Sequence, residues 1–430
     1  MCMKKNALII AVLTLLSIGQ AIGGCTTQNP QGSIVTIESK SGEHQLYRND
    51  QPFTILGVGG TTNLELLKSY GGNTIRTWDA EGIAPLMDEA HELGIAVVVG
   101  IWLEHARHGF DYADPESRQH DLDRVKQFVL EFRDHPALLA WGVGNEVELG
   151  GSMDTAIMQI NDAAKIIKSL DTNHPTMSVI AEIGDDKAIR IQNECPQIDM
   201  LGINSYGGLG NLAPRIKAQG LTLPYAITEY GVLGHWETGN SEWGAPYEMT
   251  SSAKAAFLKG NYQKTIAANL GKQCLGSFAF LWGNKQEKTA TWYGLLLETG
   301  ETTERVDVLS ELWTGNPVSN SAPRVESMKI DVDANQITTG QQVHVKLDAS
   351  DLDGDPLTTH WEVTRESTVV SAGGDHEDAI SAIQVEITNQ KSRSCTITMT
   401  LEPGAYRIFA TVRDGQGHAG TANLPILIVE

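Results

Sequence analysis

A chain of 430 residues is long enough for two buried cores, and an apolar content of 41% is ordinary for a globular protein. A formal net charge of −21 argues against nucleic acid or an anionic membrane surface as the main partner. Such acidity reads most simply as a charge that keeps the protein soluble.

The N-terminus carries a targeting pattern. Lys4 and Lys5 precede the apolar run Ala7–Ile18, which is too short to span a bilayer. Ile22-Gly23-Gly24-Cys25 comes next, and it resembles the lipobox of bacterial lipoproteins. That resemblance implies loss of residues 1–24 and lipid attachment to the Cys25 sulfur. The expectation is an exported chain, anchored to a bacterial membrane by acyl chains on the periplasmic or outer side. A plain secretory signal with a free Cys25 is the alternative. Cys195, Cys274 and Cys395 form no CxxC pair, so neither a zinc knuckle nor a redox motif is indicated. Cys274 opens an apolar strand and reads as a buried thiol.

Residues 33–52 read as a small hairpin that caps the bottom of the main domain. Beyond it, short apolar runs and helical patterns alternate. The runs Phe53–Gly57, Asn73–Trp78, Ile95–Leu103 and Leu138–Asn145 read as strands buried on both faces, as do Thr176–Ala181, Ile198–Ser205, Pro224–Glu229 and Leu275–Trp282. Apolar residues at helical spacing lie between them, as at Val125, Phe128, Val129 and Phe132. Gly71 and Gly94 sit where helix C-terminal caps belong. Eight such units in about 280 residues predict an α/β fold, a (β/α)8 TIM barrel, over residues 25–315 with the hairpin included. A doubly wound open sheet is disfavoured, because Gly57-Val58-Gly59-Gly60 lacks the spacing of a phosphate turn. Residues 316–324 are a linker by composition, rich in Asn, Ser and Pro. Past it the period becomes two, as in Cys395, Ile397, Met399 and Leu401. Residues 325–430 therefore predict a C-terminal all-β sandwich of about seven strands, Ig-like or cadherin-like, with Trp361 and Tyr406 as core anchors.

Two of the apolar runs end in a carboxylate. Leu139-Ala140-Trp141-Gly142-Val143-Gly144-Asn145-Glu146 closes the fourth strand and Tyr225-Ala226-Ile227-Thr228-Glu229 the seventh. In a TIM barrel the C-terminal strand ends carry the chemistry. Two placed carboxyl groups there fit glycoside hydrolysis, which needs no cofactor. Glu146 is then expected as the general acid, its pKa raised by a nearby negative charge, and Glu229 as the ionised nucleophile. Asn145 is placed to hydrogen-bond a sugar hydroxyl.

Gly144-Asn145-Glu146 after one strand and Thr228-Glu229-Tyr230-Gly231 after a later one resemble the motifs of retaining β-glycosidases of clan A. The nearest resemblance is to the catalytic TIM barrel of glycoside hydrolase family 2. Shorter similarity exists to the β-1,3-glucan-active families 17 and 72 through Gly-Asn-Glu-Val at 144–147. The resemblance covers roughly residues 45–314. It implies a hydrolase with Glu146 as acid/base, Glu229 as nucleophile, Arg76 fixing the nucleophile, Tyr206 hydrogen-bonding it, and Trp282 flooring the first subsite. Two departures touch the substrate: the usual family 2 domains ahead of the barrel are missing, and Trp78-Asp79-Ala80 differs from the family pattern.

Trp102 and His105 end the third strand and are expected at the cleft. His105 and His108 lie on an irregular loop without a third ligand, so no metal is expected there. The loop Gly231–Met249 carries His235, Trp236, Trp243 and Tyr247, and Trp236 is expected to stack on sugar. Asp351-Leu352-Asp353-Gly354-Asp355 resembles the acidic turn of cadherin-like modules, implying a structural Ca²⁺ on Asp351, Asp353 and Asp355. A simple Asp/Gly turn is the alternative, and Pro356 excludes an EF-hand. The function expected is retaining hydrolysis of β-glycosidic bonds in a β-linked oligo- or polysaccharide. A glucan-remodelling transglycosylase, or a non-catalytic glycan-binding surface lipoprotein, is the alternative.

Overall fold

The computed structural model describes residues 32–184, 186–370 and 373–430. The signal segment and Cys25 lie outside the described residues. Three short strands come first: β1 (Val35–Lys40), β2 (Glu43–Arg48) and β3 (Gln51–Phe53), paired in that order. Eight parallel strands then close into a barrel: β4 (Ile55–Gly59), β5 (Thr74–Arg76), β6 (Ala96–Ile101), β7 (Leu138–Asn145), β8 (Thr176–Ala181), β9 (Met200–Asn204), β10 (Tyr225–Glu229) and β11 (Cys274–Ala279). The helices between and after them are α1 (Leu64–Ser69), α2 (Ala84–Glu92), α3 (Pro115–Phe132), α4 (Met153–Leu170), α5 (Lys187–Glu194), α6 (Leu212–Gln219), α7 (Ser251–Asn261) and α8 (Glu304–Thr314).

The strands read as continuous apolar runs because both of their faces are covered. In β6, Ala96 and Val98 join the core inside the barrel, while Val97, Val99 and Ile101 join the layer under the helices. Val35 and Leu46 of the hairpin belong to that inner core too, so the hairpin plugs the N-terminal end of the barrel. Two elements differ from expectation. Residues 51–53 pair with β2 rather than opening the barrel, and the first barrel strand starts at Ile55. Helix α3 begins at Pro115, seven residues before its apolar periodicity becomes visible. Its start is fixed by Asp114, whose carboxylate accepts from the amides of Ser117 at 3.1 Å and Glu116 at 3.3 Å.

The C-terminal region folds as two antiparallel-rich sheets. One has the order β12 (Arg324–Ile330), β14 (Gln342–Ser350), β18 (Ser394–Thr398), β17 (Glu386–Lys391). The other runs β13 (Ile337–Thr338), β20 (Ala419–Val429), β19 (Gly404–Arg413), β15 (Thr358–Arg365), β16 (Ala382–Ile383). Inward residues of both sheets form a single core that includes Trp361 and Tyr406.

These sheets are docked on the barrel, not tethered to it. The backbone amides of Val325 and Thr421 donate to the hydroxyls of Ser252 (2.8 Å) and Ser251 (2.9 Å) at the start of α7. Arg407, 1% exposed, pairs with Glu366 at 2.7 Å and donates to the Pro246 carbonyl of the barrel at 2.8 Å. Glu248, in the same barrel loop, accepts from Lys254, Thr289, Thr291 and, across the interface, Asn423. Among the described residues, no helix is long and apolar enough to cross a membrane.

Candidate active site

The C-terminal rim of the barrel gathers the polar groups that the strands deliver. β7 ends in a kinked turn: Gly144 and Glu146 both have left-handed backbones, with φ of 71° and 53°. Glycine takes that conformation freely, but for Glu146 it costs of order 1–3 kcal/mol. The turn is held by a hydrogen bond from the Glu146 amide to the Val179 carbonyl of the neighbouring strand, 2.8 Å. The turn ends the strand and leaves the Glu146 carboxyl in the cleft, within reach of Asn204.

Glu229, the last residue of β10, is fixed by three donors. Its Oε1 accepts from Arg76 Nη1 (3.1 Å) and Trp78 Nε1 (2.9 Å), and its Oε2 from the Tyr206 hydroxyl (2.9 Å). Arg76 stands under the cleft, 2% exposed, and its second nitrogen donates to Asn145 Oδ1 at 2.6 Å. Asn204 at the end of β9 donates to both Asn145 Oδ1 (3.2 Å) and Glu146 Oε1 (2.8 Å). Its own oxygen accepts from Thr228, at 2.8 Å. A chain of short contacts therefore runs Glu229–Arg76–Asn145–Asn204–Glu146. With the Asn145 oxygen doubly engaged, its NH₂ is the group left for a ligand.

The two carboxyl groups sit in different environments. Burial first, and then the Glu229 charge, raise the Glu146 pKa to about 7 against the Asn204 hydrogen bond and Arg76. The expected neighbour-charge effect is thus present, but desolvation is the larger cause. Glu229 accepts three hydrogen bonds, the arrangement of an ionised carboxylate. Burial keeps the Tyr206 phenol far above its ordinary pKa, so it remains a donor to Glu229.

Around the pair lies a cleft of about 530 Å³ lined by Trp78, Trp102, Asn145, Tyr206, Trp236 and Phe280 among others. Trp102 forms one wall and is stacked flat on His105, 4.6 Å between centroids, which is in turn stacked on His108 at 5.2 Å. His105 itself is fully buried, and burial lowers its pKa to about 4, so it is a neutral backing plate behind the wall. Trp236 is 53% exposed and meets Tyr206 edge-on at 5.7 Å.

One expected residue is elsewhere. Trp282 is 2% exposed, packs into the layer between barrel and helices, and donates its indole N–H to the Thr62 carbonyl at 2.7 Å. The strand ladder ends at Ala279, so the alternation of faces does not carry on to residue 282. Phe280 takes the cleft position instead, edge-on to Trp78 at 5.9 Å and Tyr206 at 6.1 Å. Arg76 lies beneath the cleft, bonded to Glu229 as the resemblance implies and to Asn145 as well. Besides Phe280, the sequence reading missed Trp78 and Asn204 in the cleft. Trp78 was visible only as a departure from a motif, and Asn204 is one of many strand-end amides.

The acidic turn also differs in membership. Carboxylate oxygens of Asp351, Asp355 and Asp414 all lie within 4.8 Å of one another. Asp353 is not among them, and its carboxylate accepts from the Ser321 amide at 2.7 Å. Asp414, at the β19–β20 turn, replaces it because the two turns meet at the same end of the sheets.

Comparison with known proteins agrees with this architecture. Residues 70–269 match the family described as glycosyl hydrolases family 2, TIM barrel domain. Over 196 residues the chain is 26% identical to a probable mannan endo-1,4-beta-mannosidase F of Aspergillus flavus and equally to that of Aspergillus oryzae; the match covers 39% of this chain and 41% of each relative. A Bacteroides uniformis beta-glucuronidase superimposes with a TM-score of 0.50 at 12% identity, over 92% of this chain and 48% of that one. The Ruminococcus gnavus beta-glucuronidase gives 0.52 at 17% identity, over 65% and 53%. At such identities the structural likeness shows the fold, a TIM barrel with β-sheets added. The chain spans about two fifths of the curated relatives and about half of these β-glucuronidases.

Proposed function

We propose that this protein is a retaining glycoside hydrolase that cleaves β-glycosidic bonds in a β-linked oligo- or polysaccharide. The observation that carries the proposal is the linked pair: Glu229 clamped by Arg76, Trp78 and Tyr206, and a protonatable Glu146 joined to it through Asn145 and Asn204. Glu146, protonated near neutrality, gives its proton to the leaving oxygen as the bond to the anomeric carbon breaks. Glu229 attacks that carbon from the opposite side and forms a glycosyl ester. Glu146, now ionised, takes a proton from water, which hydrolyses the ester and restores both groups. Asn145 offers its NH₂ to a sugar hydroxyl, and Trp102, Trp236 and Phe280 present faces and edges to the ring. The match to the family 2 barrel supports the same reading.

Aryl β-glycosides test it. Glu229→Ala is expected to lose at least a thousandfold in kcat, and the first sugar released by the wild type should carry the β configuration by NMR. An α product would sink the retaining mechanism, and full activity in Glu229→Ala would sink the site.

Two further assignments belong to this proposal. The lipobox-like string supports an enzyme anchored to a bacterial membrane through Cys25; incorporation of labelled palmitate, lost in Cys25→Ser, tests that. A Ca²⁺ held by Asp351, Asp355 and Asp414 is supported by two oxygens that lack any hydrogen-bond partner, Asp351 Oδ2 and Asp414 Oδ2, the latter on a side chain 4% exposed.

A further inference from the structure

The cleft is not built by the barrel alone. Gly373 and Gly374, which belong to the connection between β15 and β16 in the C-terminal sheets, line it together with Glu146 and Glu229. Their contacts fix where this strip runs. Gly373 lies against the indole of Trp236, in the loop after β10. A Cβ at that position would come within 2.9 Å of the ring, and its φ of 98° favours glycine as well. The Gly374 amide donates to Glu287 Oε1 at 3.2 Å, in the loop after β11. Asp375 pairs with Arg107 at 3.4 Å and lies 3.5 Å from His108, both in the loop after β6. Glu377 returns to the β11 side, accepting from the Lys288 amide at 2.9 Å.

β6 and β10 are four places apart in a ring of eight, so they stand on opposite sides of the barrel. Within three residues the strip passes from the rim above β10 and β11 to the rim above β6. Three residues reach about 10 Å at full extension, and Glu377 is already back at Lys288, so the span to the β6 side is completed by the Asp375–Arg107 ion pair and not by backbone alone. The anchoring groups are themselves fixed. Glu287 is 2% exposed and held by Lys285 at 2.7 Å, and Glu377 is 5% exposed. Docking of the sheets through Arg407, Ser251 and Ser252 holds the base of the strip in place.

We propose that Gly373–Glu377 bridges the mouth of the barrel and makes the cleft accept a glycan by its chain end. A continuous polymer cannot be laid across a mouth already closed over by this strip and its Asp375–Arg107 ion pair; its end must enter beside or beneath the bridge. The C-terminal sheets are then a specificity element of the glycosidase and not a spacer. Asp375 and Glu377 are positioning residues, acting through the course of the backbone between them. This inference rests on the glycosidase reading of the same cleft. Aryl β-glycoside turnover by the wild type checks that reading separately.

The test compares the wild type with Asp375→Ala/Glu377→Ala on reducing-end-labelled hexaoses of β-1,3-glucan, β-1,4-glucan and β-1,4-mannan and on the matching soluble polymers. The wild type should cut any hexaose it accepts at one fixed distance from an end, and should release reducing sugar from polymer with little loss of viscosity. The double variant should cut at several internal positions and raise the ratio of viscosity loss to reducing ends at least fivefold, or accept a polymer that the wild type refuses. Its kcat/KM on aryl β-glycosides should stay within about twofold. Should the double variant melt early, Asp375→Asn replaces it, with Asp375→Glu restoring the wild-type cutting pattern. Internal cutting by the wild type, or a folded variant with unchanged products and substrate range, overturns the proposal.

Discussion

Glu146 and Glu229 are the same residue type, and their surroundings separate them. Burial beside a negative neighbour makes Glu146 hold its proton up to about pH 7, whereas an exposed glutamate loses it near 4.3. As the general acid must be protonated, kcat/KM should fall above about pH 7, approaching tenfold per pH unit. The same shift has a sign for stability. The folded state binds this proton more tightly than the unfolded chain, so the contribution of Glu146 to stability declines as pH rises from about 4.5 to 7. Glu146→Gln should therefore raise Tm at pH 8 more than at pH 5, and should remove the alkaline limb while sparing activity on glycosides with good leaving groups. A pH series of melting curves and kcat/KM values checks both. Trp78 acts on the partner carboxylate. Its indole N–H donates to Glu229 and its ring lies 5.1 Å from the Arg76 guanidinium. Trp78→Phe keeps the ring and loses one hydrogen bond to a charged group, a change of about 1.5–3 kcal/mol. The expected result is a fall of roughly 10- to 150-fold in kcat/KM with Tm nearly unchanged, read by steady-state kinetics and calorimetry.

Strand β7 shows how an element converts a burial pattern into a site. Leu139 and Ala140 face the barrel interior while Leu138, Trp141 and Val143 join the helix layer, with a register shift against β6 between Leu138 and Ala140. Gly144 then turns the backbone into the left-handed region, and a Cβ there would lie 2.4 Å from Val147 Cγ2 and 3.2 Å from Leu103. Gly144→Ala should lower Tm by several degrees and kcat by more than its effect on KM, because Glu146 rides on that turn. Circular dichroism melts with kinetics on one aryl glycoside separate the two effects. The eight strands were legible in the sequence because parallel strands buried on both faces leave unbroken apolar runs, and Glu146 and Glu229 were legible because they end such runs. What failed was reading past an element's end. Trp282 shares a phase with Phe280 on paper, but the ladder stops at Ala279, and the next residues pair with Gly59 and Tyr293 instead. Helix α3 hid its start behind a polar first two turns. Asn204 and Trp78 gain their importance from partners 58 and 151 residues away, a separation no local pattern encodes.

At the scale of the whole molecule, the barrel and the sheets share polar groups that are buried only because the two bodies meet. The acidic cluster stands at this junction. Asp351 and Asp355 come from the turn after β14, and Asp414 from the turn after β19. Asn320 of the connecting segment donates to Asp355 Oδ2 at 2.7 Å, and Asp307 of helix α8 accepts from the Ala322 amide at 2.7 Å. Burial, with the charges of Glu304, Asp353 and Asp414, lifts the Asp307 pKa to about 7. Carboxylates gathered this closely, with buried oxygens lacking donors, repel one another unless a cation or protons intervene. A bound Ca²⁺ would offset that repulsion and tie the connecting segment to both sheet turns. It would stabilise the folded state by RT ln(1 + [Ca²⁺]/Kd), about 2.7 kcal/mol at a hundredfold excess over Kd. Millimolar Ca²⁺ added to chelator-treated protein should then raise Tm by several degrees, with Mg²⁺ less effective because it demands shorter, more regular coordination. Asp414→Asn should abolish the shift. Because it also removes one of the repelling charges, its Tm in chelator should equal or exceed that of the wild type. A wild type whose melting is indifferent to Ca²⁺ would overturn the assignment of a cation to Asp351, Asp355 and Asp414.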